Sequence, residues 1–124
     1  MAIVEPTQVM DDDGVVKITW ANMKNGDTGN WVRAARFNDK TVQVIVEAAG
    51  TGDEVTMQGS PDAGTTVGEL HDPQGGLLSA VLVGATISDP EVISESPESI
   101  RPEVTAGDGV TDLTVVITAP SRGK

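Results

Sequence analysis

In Val15-Val16-Lys17-Ile18-Thr19-Trp20, apolar and polar residues alternate from Val16 onward. Val16, Ile18 and Trp20 fall on one side; Lys17 and Thr19 fall on the other. Successive side chains of a strand point to opposite faces, so the stretch predicts a β-strand with one buried and one wet face. Leu113-Thr114-Val115-Val116-Ile117-Thr118 repeats the pattern near the other end, with Leu113, Val115 and Ile117 inward and Thr114, Val116 and Thr118 outward. Thr41 to Glu47 places Val42, Val44 and Val46 on one face, and Ile45 among the alternate residues predicts cover on both sides. Glu54 to Gln58 turns Val55 and Met57 inward after the hairpin loop Gly50-Thr51-Gly52-Asp53.

Further strands are predicted at Trp31 to Phe37, Val67 to Leu70, Leu77 to Val83, Val92 to Glu95 and Ile100 to Thr105. Leu77 to Val83 is apolar on both faces and reads either as a buried strand or as a contact surface. Pro102 has no N–H to give a ladder, which predicts a sheet edge or a strand start there. Turn chemistry separates the segments, at Asn25-Gly26-Asp27-Thr28-Gly29-Asn30, His71-Asp72-Pro73-Gln74-Gly75-Gly76 and Ala106-Gly107-Asp108-Gly109 among others. Val, Ile and Thr number 37 against 20 for Leu, Met and Ala, a balance that favours strands over helices. The expected fold is all-β: one antiparallel β-sandwich, jelly-roll-like, of about eight strands over residues 15–119. Residues 1–14, ending in Asp11-Asp12-Asp13-Gly14, read as a mobile N-terminal arm, and 120–124 as a C-terminal tail.

The chain has 124 residues, a net charge of −11, no Cys and one His. Acidity argues against binding phosphate backbones, so no nucleic acid is expected. The missing Cys and single His remove thiolate and multi-His metal centres. No apolar run is long enough for a membrane span, and Met1 to Met10 lacks the pattern of a secretory signal, so no membrane partner is expected and synthesis in a cytoplasm is. There is no nucleophile elbow and no phosphate loop. His71-Asp72 reads as a polar turn, and Glu95 with Glu98 as a chance pair in a chain of 19 acids. Asp11-Asp12-Asp13-Gly14 and Asp108 to Asp112 are the places to look for calcium, yet neither has the EF-hand spacing, so no ligands are assigned. The expectation is a protein without catalytic residues, cofactor or metal site.

Charge is unevenly distributed. Residues 17–37 carry +3, while residues 38–121 carry −12. All three aromatics, Trp20, Trp31 and Phe37, lie in the basic stretch. Trp and Arg dominate binding hot spots, which makes Trp31, Arg33, Arg36 and Phe37 the candidate partner-binding residues. Trp20, inside an alternating strand, reads as core. Trp31, beside a Gly/Asn-rich loop, reads equally as core or contact.

A set of short strings carries a resemblance. They are Thr-Val-Gln-Val (41–44), Val-Thr-Met-Gln-Gly-Ser-Pro-Asp (55–62), Asp-Pro-Gln-Gly-Gly-Leu-Leu-Ser (72–79), Ile-Arg-Pro-Glu-Val-Thr-Ala-Gly-Asp-Gly (100–109) and Thr-Asp-Leu-Thr-Val (111–115). In this order, over residues 18–118, they resemble a family of small virion proteins of tailed bacteriophages. Family members often carry aromatics where Val67 and Ser99 stand here, so a shared aromatic core cluster is not implied. The resemblance implies a capsid decoration (cement) protein of β-sandwich or jelly-roll fold. Such a protein binds the outside of the major capsid protein lattice as a dimer or trimer, and is made in the host cytoplasm. Other virion parts (a head spike, a fibre base, a tail component) share that resemblance. A carbohydrate-binding module shares only the fold class.

Overall fold

A computed structural model describes residues 2–10, 14–33, 40–48, 50, 52–62, 64, 66–70, 79–82, 91–93 and 98–120. The described residues contain no helix. They form β1 (Ile3–Val4), β2 (Thr7–Met10), β3 (Val15–Met23), β4 (Thr28–Gly29), β5 (Val32–Arg33), β6 (Thr41–Ala48), β7 (Asp53–Ser60), β8 (Gly68–Glu69), β9 (Ser79–Leu82), β10 (Glu91–Val92), β11 (Ser99–Ala106) and β12 (Asp112–Pro120). One sheet runs β10-β6-β12-β3-β2. The other has the order β1-β4-β11-β7-β8, with β5 also on β11 and β9 also on β7. Every pairing is antiparallel except β1 on β4.

The predicted alternation accounts for the core. Val16, Ile18 and Trp20 of β3, Val42 and Val44 of β6, and Leu113, Val115 and Ile117 of β12 leave the five-stranded sheet on one face. They meet Val55 and Met57 of β7, Ile100 and Val104 of β11 and Val32 of β5 in a single buried cluster. Two sheets sharing one core are a β-sandwich, the architecture expected from the sequence. Ile45, opposite Thr114, is half-buried on the outer face of its sheet, so β6 is covered mainly on one side. β9 falls within the apolar segment Leu77 to Val83; the burial of its side chains lies outside the described residues.

Three expectations are corrected. The N-terminal segment forms strands in both sheets where an arm was expected. Asp27, buried, accepts the Ala2 amide on Oδ1 at 2.9 Å and the Lys24 amide on Oδ2 at 2.9 Å. The Thr28 amide then donates to the Ala2 carbonyl and the Asn30 amide to the Val4 carbonyl, which lays β1 along β4. After Pro6 the chain crosses to the other sheet and β2 pairs with β3, Thr7 opposite Thr19 and Met10 opposite Val16. Thr28–Gly29, read as turn, supplies the strand that receives β1.

Pro102 lies in the middle of β11, between β7 and the β4–β5 side. The Val104 amide donates to the Asp27 carbonyl, so the nitrogen two residues earlier faces the same side. Ile100 pairs with Val32 and Glu103 with Thr28, which leaves Pro102 opposite the interruption between β4 and β5. The missing donor therefore falls where the neighbouring strand is broken. In that break the Asn30 carbonyl accepts from Trp20 Nε1 at 3.0 Å. Gly29 lies so close that a Cβ there would come within 2.6 Å of both Pro102 Cδ and Trp20 Cδ1.

Candidate partner-binding face

β5 and β11 decide where the predicted contact residues go. Ser99 pairs with Arg33 and Ile100 with Val32, so extending the register by one places Trp31 beside Arg101. Ile100 and Val32 are core residues, hence Trp31, Arg33 and Arg101 project from the outward face of the seven-stranded sheet. The Arg101 guanidinium stacks over the Trp31 ring, 4.3 Å from its centroid. The indole is half-buried and Arg33 is exposed.

Neighbours hold this pair in place. Arg101 Nε donates to Gln58 Oε1 at 2.7 Å, and Gln58 Nε2 donates to Glu103 Oε1 at 2.9 Å. These groups alternate along β7 and β11, so they form a polar row beside the indole. The Trp31 amide donates to Asn30 Oδ1 at 3.0 Å. The far edge of the ring rests on Gly64, where a Cβ would come within 2.6 Å of Nε1; its φ of +100° also suits glycine. Gly64 belongs to a loop closed by side chains: Ser60 Oγ accepts the Gly64 amide, and Asp62 accepts both the amide and the hydroxyl of Thr66. The strings Gly-Ser-Pro-Asp and Ile-Arg-Pro-Glu thus meet at Trp31.

Trp31 and Arg33 share this face; Arg36 and Phe37 lie outside the described residues. Trp20 is wholly buried, as its strand predicted. The basic stretch 17–37 is not one patch. Lys17 lies on the exposed face of the other sheet, and Lys24 forms an ion pair with Asp112 at 2.7 Å. The residue missed from the sequence is Arg101. Its signal was present: residues 38–121 hold only two bases, Lys40 and Arg101, and Arg101 stands in an alternating strand.

Of the calcium candidates, Asp11-Asp12-Asp13 lies outside the described residues, while Asp108 and Asp112 have other partners. Asp108 Oδ1 accepts the Val110 amide. Asp112 accepts from Lys24 Nζ and Asn22 Nδ2. Its carboxyl is held below the ordinary value, chiefly by the Lys24 hydrogen bond, against the opposing effect of partial burial and with further help from Asn22. No group of three or more potential metal-ligating side chains occurs among the described residues. His71 and Glu95 lie outside them.

No protein-family model matches the chain, and no curated protein matches it in sequence. Solved structures superpose on it at low identity. A cupin 2 domain-containing protein from Halorhodospira halophila superposes with a TM-score of 0.42 at 10% identity, over 98% of this chain and 67% of that one. A chitosan-binding module from a Paenibacillus chitosanase/glucanase gives 0.43 at 14% identity, over 91% and 74%. A Bacillus endospore appendage protein gives 0.38 at 13% identity, over 94% and 90%.

Proposed function

We propose that this chain is a non-enzymatic virion structural protein, a decoration protein of a tailed bacteriophage. It docks on the exterior of the major capsid lattice through the face bearing Trp31, Arg33 and Arg101, and works as a dimer or trimer. The observation that carries the docking face is the Arg101–Trp31 stack on an outward sheet surface, with exposed Arg33 beside it, in a chain of net charge −11. A preorganised aromatic flanked by two guanidiniums is suited to a carboxylate-bearing protein surface. The acidic remainder opposes non-specific association. The phage assignment rests on the sequence strings quoted above. Bridging several shell subunits would multiply weak single contacts through effective concentration.

The test is to add purified protein to capsids that lack it and image the particles. Wild type gives ordered density at symmetry axes of the lattice. Arg33→Glu with Arg101→Glu, and separately Trp31→Ala, lower occupancy while the circular dichroism spectrum stays unchanged. Full occupancy by these variants would overturn the docking face, and absence of binding by wild type would overturn the decoration role. Density on the tail or at a fibre base would place the protein elsewhere in the virion.

One arrangement favours a second reading. Gln58 and Glu103 present hydrogen-bonding groups beside the indole, the combination a carbohydrate-binding module uses. Glycan-array binding that disappears in Trp31→Ala would support it.

A further inference from the structure

The turn between β3 and β4 carries a reactive step. Asn25-Gly26 is the one Asn-Gly pair in the chain; the other asparagines, Asn22, Asn30 and Asn38, precede Met, Trp and Asp. Glycine has no side chain to obstruct its own nitrogen, so that nitrogen reaches the carboxamide carbon of a preceding asparagine with least hindrance. Asn25 is exposed and Gly26 half-buried. The Asp27 amide donates to the Lys24 carbonyl at 3.0 Å, which closes a β-turn with Gly26 in third place. The φ of +86° at Gly26 is that of a type II turn. The fold holds the attacking atom elsewhere. The Gly26 amide donates to the Val104 carbonyl of β11 at 3.2 Å, and the Val104 amide donates back to the Asp27 carbonyl at 2.9 Å. The same turn ends on Asp27, whose buried carboxylate accepts the Ala2 and Lys24 amides and so anchors β1. The reactive pair and the anchor of the N-terminal strand are therefore neighbours in one turn.

We propose that Asn25 is a site of spontaneous modification gated by the Gly26–Val104 hydrogen bond, and that its isoaspartyl product releases β1 from β4. When the turn opens, the Gly26 nitrogen attacks Asn25 Cγ. Its proton passes to the departing carboxamide nitrogen, the old Cγ–N bond breaks, and ammonia leaves. The five-membered succinimide that remains takes up one water. Water added at the side-chain carbonyl gives aspartate and restores the original backbone path. Water added at the main-chain carbonyl gives isoaspartate, whose backbone runs through Cβ and Cγ and is longer by one carbon, about 1.5 Å. That extra atom enlarges the ring closed by the Lys24 carbonyl and the Asp27 amide. It also shifts the Lys24 amide away from the Asp27 carboxylate, which loosens the anchor that the Ala2 amide shares. Conversion proceeds at the intrinsic rate multiplied by the fraction of time the turn is open, so the hydrogen bonds to Val104 set its pace. The site is separate from the Trp31 face and stands whether or not the decoration role holds.

The experiment incubates the full chain at mildly alkaline pH, folded or unfolded in guanidinium chloride, and maps its peptides by mass spectrometry. Isoaspartate is scored with an isoaspartyl methyltransferase. In the unfolded chain Asn25 should convert faster than Asn22, Asn30 and Asn38. In the folded chain its conversion should be at least about tenfold slower than in the unfolded one. The isoaspartyl fraction, returned to native buffer, should exchange the Thr28 and Asn30 amides at least about tenfold faster than unmodified chain, while the amides between β12 and β3 keep their protection. Asn25→Gln, at an exposed position, should keep the melting temperature and give neither the isoaspartyl product nor the faster exchange after the same incubation. No conversion at Asn25 in the unfolded chain would overturn the site. Equal rates in the folded and unfolded chains would overturn the gate. Unchanged exchange at Thr28 and Asn30 in the isoaspartyl fraction would overturn the release of β1.

Discussion

The Thr111 hydroxyl donates to Asp53 Oδ1 at 2.7 Å, and both residues are buried. Asp53 opens β7 and also accepts the Gly50 amide on Oδ2 at 2.8 Å. Thr111, just before β12, accepts the Asp108 amide at 2.9 Å. One hydroxyl–carboxylate contact thus joins the loop before β7 to the turn before β12. Thr111→Val leaves the carboxylate and the Asp108 amide each short of a partner. It should lower the unfolding free energy by about 1–3 kcal/mol in urea titrations. Thr111→Ser keeps the hydroxyl and should cost less than half as much.

Gly29 is the second sensitive position. A methyl there meets Pro102 and Trp20 at 2.6 Å, and both are buried. Gly29→Ala should destabilise by about 1–3 kcal/mol through overpacking. The Trp20 hydrogen bond to Asn30 lies in the same contact, so the near-ultraviolet circular dichroism spectrum should change too.

The Asp112–Lys24 pair predicts a pH dependence. The folded carboxyl titrates below its ordinary value, so its contribution is fully present above the unfolded value of roughly 4. It is lost as the pH falls through the lower, folded value. The Lys24 side chain is largely exposed, so the contribution is about 0.2–1 kcal/mol and shrinks in salt. Lys24→Met should lower the urea midpoint at pH 6, and the gap to wild type should close toward pH 2.

Arg101 over Trp31 should add about 0.5–1 kcal/mol, measured by a double-mutant cycle of Arg101→Ala and Trp31→Ala. Arg101→Ala uncovers the indole and should raise the iodide-quenchable share of tryptophan fluorescence. The emission of wholly buried Trp20 should stay put.

What the sequence determined by itself is the local period. Val16, Ile18 and Trp20, like Leu113, Val115 and Ile117, declare their buried face because neighbouring side chains of a strand alternate. The sandwich class follows, and so does the burial of Trp20. Trp31 and Arg33 could be singled out from charge and residue type, but not their companion. Arg101 is seventy positions from Trp31 in the chain, and only strand pairing brings them together. Tertiary pairing likewise decided that Pro102 sits mid-strand, because the missing donor meets a break in β4–β5 that no local pattern announces. The same holds at the N-terminus. Ile3–Val4 and Thr7–Met10 show no alternation of their own, since their order comes from Asp27 and from the open edges of two sheets that other residues built.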